Sequence, residues 1–212
     1  MNKLVIKVIN SIFVFLVNFL KYLRIFKLVF LKNSKIKFKL KSTIETDIKN
    51  FFTSSKKFGR KTIFEPYSQI VIKGDISIGD NFYLGKASRI SSVRDNLLVG
   101  NNVTIGENCT IDGSGGLEVG SNVVISDYTC IISHRHLFVK NKGLSNEYIS
   151  AKTRVGSYVW LCEGVKVIPG VTICDNVIVG AGSIVTRDIV EEGIYVGIPA
   201  KKKKDIENER WV

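Results

Sequence analysis

The chain has 212 residues, 45% of them hydrophobic and 24% charged, with a formal net charge of +12. That composition excludes a disordered chain, which is poorer in apolar residues, and the length suits one or two domains with a proper core. No bilayer span is expected either. The longest uncharged run near the start, Val8 to Leu20, is shorter than the ~20 apolar residues a span needs and is broken by Asn10, Ser11 and Asn18.

The charge is unevenly placed. Residues 1–65 hold 15 Lys+Arg against Glu45, Asp47 and Glu65, a balance of +12, while residues 66–212 hold 16 of each sign. The expected organisation is a basic segment over 1–65, a neutral body over 66–200 and a short basic tail over 201–212. Within the first part, residues 3–31 read as an amphipathic helix. Lys3, Lys7, Asn10, Asn18, Lys21, Arg24 and Lys27 form a narrow polar stripe, and Ile6, Phe13, Phe19, Phe26 and their neighbours form a wide apolar face. A helix of this type lies in a membrane interface, apolar side down. Burial in an oligomer interface is the other reading. Next, Lys35, Lys37, Lys39 and Lys41 alternate with Ile36, Phe38 and Leu40, the pattern of a strand with one basic face. Basic groups beside a membrane are each worth about 1 kcal/mol toward anionic lipid. Residues 1–41 are therefore expected to make peripheral membrane contact, on the inner face of the cell membrane in a cytoplasmic protein. Nucleic acid is not an expected partner, since no helix-turn-helix, zinc finger or aromatic-basic RNA motif occurs. Cys109, Cys130, Cys162 and Cys174 show no CxxC spacing and there are two histidines, so no metal site is expected and the thiols read as reduced.

From about residue 72 a six-residue period takes over. An aliphatic residue opens each unit, often followed by Gly, as in Ile78-Gly79, Leu84-Gly85, Ile105-Gly106, Val155-Gly156 and Val179-Gly180. The openers fall at 72, 78, 84, 90, then 99, 105, 111, then 119, 125, 131, then every sixth residue from 155 to 185. Four residues after the opener sits a small or β-branched residue in most units, for example Ser88, Cys109, Thr129, Val165 and Ser183. Three such units make one triangular coil of short parallel strands. The opener and the small residue point inward, and Gly, Asn and Asp are expected to take the left-handed corners. Stacking must hold the coils together, since no unit buries its face alone. The expected fold is mainly β, a parallel β-helix of about five coils preceded by the N-terminal helical segment. Phase slips near 96–98 and 117–118 mark inserted residues. The gap from Leu137 to Arg154 marks a loop extruded from a continuing stack, a natural place for function.

The segments ISDYTCIISHRH (125–136), VGSYVWLCEGVKVIPGVTI (155–173), VGAGSIVTRD (179–188) and VGIPAKK (196–202) carry a family resemblance. Over about residues 70–204 the chain resembles the left-handed β-helix hexapeptide acyltransferases. In detail it is similar to the maltose/galactoside O-acetyltransferase branch and its relatives in surface-polysaccharide synthesis. In that family a histidine ending the coil before the extruded loop is the base, 24 residues ahead of a Trp on the next coil. His136 stands 24 residues before Trp160 and takes that place. The resemblance implies direct acetyl transfer from acetyl-CoA, the co-substrate, to a sugar hydroxyl. It also implies Trp160 and His134 beside the acceptor, and Ala181, Thr186, Arg187, Lys201 and Lys204 along the coenzyme. A histidine suits the base role because its ordinary pKa leaves it largely neutral near neutral pH. The carboxylate that orients His136 is left open between Asp127 and Glu147. Departures from the family pattern are the cysteine and glutamate at 162–163, where Gly and a small residue are usual, and Lys after the GIPA turn where Arg is common. The family also implies a homotrimer with sites between subunits. N-acetylation of a nucleotide-linked amino sugar and a non-catalytic solenoid scaffold are the alternative functions. Deleting residues 1–31 should release the protein from anionic liposomes in a flotation assay. Unchanged binding would sink the membrane reading.

Overall fold

The computed structural model describes residues 37–38, 43–45 and 56–206, and the helix expected over 3–31 lies outside them. The described chain is built from strands. Among the described residues no helix is long and apolar enough to cross a membrane. The strands repeat a cycle of three faces. The first face has nine strands running from Lys37–Phe38 to Lys201–Lys204, the second has seven from Thr43–Glu45 to Ile184–Val185, and the third has six from Lys56–Phe58 to Thr172–Ile173. Each strand pairs in parallel with the equivalent strand one coil on, until Lys201–Lys204 closes the first face antiparallel to Gly193–Val196. This is the expected parallel β-helix. It is longer than the openers alone indicate, since the second face holds one strand for each of seven coils. The additional coils come from residues before 72. Ile63–Phe64 pairs with Tyr83–Leu84 and Lys56–Phe58 with Ile76–Ile78, so parallel pairing crosses residue 65.

The period is a packing period. Every opener from Ile72 to Val185 is buried, and so is every small or β-branched residue four places later, from Ser88 to Ser183. Each buried aliphatic side chain contributes about 1.5–3 kcal/mol relative to exposure. Hydroxyls among them are paired. Ser88 Oγ donates to the Gly106 carbonyl at 2.7 Å, and Thr129 Oγ1 to that of Cys162 at 3.2 Å.

The glycine after the opener does not hold the left-handed corner. That corner falls three residues after the opener, at Asn81, Asn102, Asn108, Asn122 and Asn176, with φ between 55° and 59°. Asn81 donates to Asn102 at 2.7 Å and Asn102 to Asn122 at 2.9 Å, so the column is hydrogen-bonded along the stack. Ala87, Tyr128 and Tyr158 take the same conformation without a short amide, a choice that costs about 1–2 kcal/mol each. The glycine after the opener is required for another reason. A Cβ on Gly100 would lie 2.7 Å from the Gly120 carbonyl, and one on Gly120 would lie 2.7 Å from the carbonyl carbon of Gly156. The backbones of successive coils touch there.

Register locates the inserted residues. Val155 pairs with Ile173, a step of 18 residues. Leu84 pairs with Ile105, Ile105 with Ile125 and Ile125 with Leu161, steps of 21, 20 and 36. In each case the additional residues leave the stack between a second-face strand and a third-face strand. They fall between Arg89–Ser92 and Leu97–Val99, between Thr110–Asp112 and Leu117–Val119, and between Cys130–Ile132 and Thr153–Val155. The two phase slips and the extruded loop therefore stack on one edge of the prism. The loop is an antiparallel hairpin, His134–Val139 with Gly143–Ser150. Gly100→Ala should cost about 1–3 kcal/mol in chemical denaturation, because neither backbone can yield within the stack. Lys86→Ala, on the exposed surface, should change stability by less than about 0.5 kcal/mol.

Candidate active site

The hairpin is fixed at its root by groups that belong to the prism. Ser133 Oγ donates to the Asp112 carbonyl at 2.8 Å and accepts from the Gly115 N–H at 2.8 Å. Thr153 Oγ1 donates to the Ile132 carbonyl at 3.1 Å and accepts from the Gly170 N–H at 3.1 Å. Both side chains are fully buried. Gly115 has no room for a side chain, because a Cβ there would overlap the Ser133 carbonyl. Just beyond, Glu118 binds Lys152 and Arg154, the latter at 2.7 Å, and these two cations hold its carboxyl below the usual carboxylate range. The hairpin thus leaves the coil on a rigid base.

His134 and His136 point to the same side of the first hairpin strand, as alternate residues of a strand do. Their ring centroids are 5.7 Å apart and nearly perpendicular. His134 is the inner of the two, its side chain 20% exposed, and its Nδ1 lies 3.3 Å from Asp112 Oδ2, off the line that a hydrogen bond needs. Asp112 Oδ1 accepts the Ser114 N–H at 2.8 Å. Tyr148, from the second hairpin strand, stacks on His134 at 4.5 Å and meets His136 edge-on at 5.8 Å. Burial, with the Asp112 charge behind it, pushes the Tyr148 hydroxyl up, so the ring stays neutral. His136 is exposed, open to a substrate. The edge therefore presents one accessible imidazole backed by an aromatic ring and by a second imidazole set against a carboxylate.

Asp112 is the carboxylate at this pair, and it lies against His134. Asp127 sits on a different edge, where its Oδ1 accepts the Glu107 N–H at 2.7 Å, and Glu147 is exposed on the hairpin. Of the other expected residues, Thr186 and Arg187 lie on the histidine edge. They follow Ile184–Val185 of the second face and precede Ile189, which bridges to the third. They stand two coils beyond the hairpin, roughly 10 Å at the usual strand spacing. Ala181 occupies the edge between the first and second faces. It is exposed, and beside it Gly182 has φ +69° with nothing within 4 Å of a would-be Cβ. The open strip this leaves fits an extended chain. Lys201 and Lys204 extend the first face and are exposed. Lys202 is held by Asp205 at 2.7 Å and Glu191 at 3.2 Å, and both carboxylates push its ammonium pKa up. Trp160 also belongs to the first face, where its Nε1 donates to Ser126 Oγ at 3.0 Å and it stays 41% exposed. That face lies across the prism from the histidine edge. One chain therefore joins His134, His136, Thr186 and Arg187 on one edge, and keeps Trp160, Ala181, Lys201 and Lys204 away from it.

Arg94, Tyr148 and Ser150 are part of this edge without any sequence motif of their own. Arg94 lies 4.0 Å from the Tyr148 ring centroid, and Ser150 Oγ donates to Asp95 Oδ2 at 2.8 Å. The signal that could have found them is the set of phase slips, because insertions at one position of the period share one edge.

Residues 152–187 match the family model described as bacterial transferase hexapeptide (six repeats). A protein of Escherichia coli K12 with the provisional name lipopolysaccharide biosynthesis O-acetyl transferase WbbJ is 31% identical over 150 residues, covering 65% of this chain and 76% of the relative. The galactoside O-acetyltransferase of the same organism is 31% identical over 143 residues, covering 55% of this chain and 70% of the relative. Among solved structures, the N-acyltransferase AntD from Bacillus cereus has a TM-score of 0.60 at 19% identity, over 78% of this chain and 93% of its own, a likeness of fold. The chain belongs to the hexapeptide-repeat acyltransferases, in the branch that holds O-acetyltransferases. Gly115→Ala should displace the hairpin root and lower acetyl transfer by about 10²-fold, the usual result of a 1 Å misplacement. Full activity in a folded Gly115→Ala protein would show that the root does not position the histidines.

Proposed function

We propose that the protein transfers acetyl from acetyl-CoA to a sugar hydroxyl of a cell-surface glycan or its lipid-linked precursor, with His136 as base. The observation that carries the reading is the exposed His136 on a braced hairpin, backed by Tyr148 and by His134 against Asp112. In the transfer, the neutral His136 imidazole takes the proton from the acceptor hydroxyl as its oxygen bonds to the thioester carbonyl carbon. The tetrahedral intermediate then expels the coenzyme sulfur, and the imidazolium returns the proton to that thiolate. Atoms and charge balance without an enzyme-bound acetyl group. Backbone N–H groups are the stabilisers of the oxyanion in this reading.

Acetyl-CoA has its place along Ala181 and Gly182, with Thr186, Arg187, Lys201 and Lys204 toward its nucleotide and phosphates. Cations suit that end and Glu163, exposed on the Ala181 edge, does not. Since Trp160 and the lysines face away from the histidine edge of their own chain, a second copy must supply them, which supports a homotrimer with sites between subunits. Residues 1–41 complete the reading as a peripheral contact with the inner face of the membrane, near a lipid-linked acceptor. His136→Ala should lower kcat with acetyl-CoA and a hydroxyl-bearing sugar by about 10²–10⁴-fold. His134→Ala should lower it less. Unchanged turnover in His136→Ala would remove it as the base, and transfer confined to amino sugars would replace O- by N-acetylation.

A further inference from the structure

The histidine edge carries a cation that neither the fold nor the proton transfer uses. Arg94 comes from the inserted turn over 93–96, between Arg89–Ser92 and Leu97–Val99, and is exposed. Its backbone is held firmly. Ser92 Oγ donates to the Asp95 carbonyl at 2.7 Å and to that of Asp75 at 3.2 Å, and the Leu97 N–H donates to the Asp75 carbonyl at 3.0 Å. Gly74 packs beneath, where a Cβ would lie 2.7 Å from the Asp95 carbonyl. The guanidinium is set 4.0 Å from the centroid of Tyr148, the ring that stacks on His134 and edges His136.

Arg94 forms no ion pair among the described residues. Three carboxylates of this edge are turned to other groups. Asp95 accepts from Ser150, Asp112 lies against His134 and the Ser114 N–H, and Glu118 binds Lys152 and Arg154. An aromatic ring holds a guanidinium in place while leaving its N–H fork free for an anion. That fork matches the two oxygens of a carboxylate or phosphate.

From this geometry we infer that Arg94 selects an acceptor bearing an anionic oxygen group, a carboxylate or a phosphate, close to the hydroxyl that is acetylated. The inference rests on the sugar-acceptor reading above and narrows it to acidic or phosphorylated sugars. A rival role for Arg94 is to pack Tyr148 alone, in which case its loss would slow all acceptors alike.

The full chain is assayed with acetyl-CoA and three matched methyl glycosides, in the gluco and galacto series: the neutral hexoside, the hexuronoside and the hexoside 6-phosphate. Expected is a kcat/KM at least 10-fold higher for one anionic form than for the neutral one. The two anionic forms separate carboxylate from phosphate. In Arg94→Gln this ratio should fall at least 10-fold, through KM, and Arg94→Lys should retain part of it. Melting curves of both variants confirm the fold. A ratio near one in the unaltered protein, or a ratio that persists in Arg94→Gln, overturns the inference while leaving sugar acetylation standing. Transfer to none of the sugars overturns both.

Discussion

Coil-on-coil contact of the backbone is the constraint on which the structure depends. Successive coils sit one strand spacing apart, and at the glycine following the opener no side chain fits between them. This contact fixes the register of all three faces together. A coil can then change its length only by sending residues outward, because inserting them into a strand would turn the buried residues to the surface. The insertions accordingly leave at a corner.

That corner is the same one each time, and the site follows from it. Short turns and one long hairpin, separated by some 20 residues each in sequence, become neighbours along one edge. The rigid prism supplies what a hairpin on its own lacks. A two-stranded ribbon is marginal in water, yet here its root is bonded through Ser133 and Thr153 to buried backbone groups. The imidazoles are thereby placed with less freedom than their exposure alone would leave them. The same prism separates the histidine edge from Trp160 and the C-terminal lysines, which belong to the first face.

Much of the fold was legible in the sequence. The buried openers were readable from Ile72 to Val185 because every one of them is aliphatic, and six-residue spacing survives any change at the surface. The coils before residue 72 were hidden. Basic and aromatic residues such as Lys56, Lys57, Phe58 and Phe64 blur the period there, although their backbones pair as regularly as those further on. The Gly–Asn–Asp signature was visible but its division of labour was not, since close approach and left-handed conformation both favour small residues.

For the site, the sequence by itself determined the histidine pair, its distance from Trp160, and the family to which the chain belongs. It determined also that something is extruded after His136, because the period stops and resumes. Only the tertiary structure decided that Asp112 lies against His134 while Asp127 and Glu147 lie elsewhere, that Tyr148 links the two histidines, and that Arg94 stands beside Tyr148. The physical reason is that a coil brings residues about 20 apart into contact, and an insertion changes that number locally. Which residues meet across the edge is then set by the backbone register, which no single residue in the chain announces.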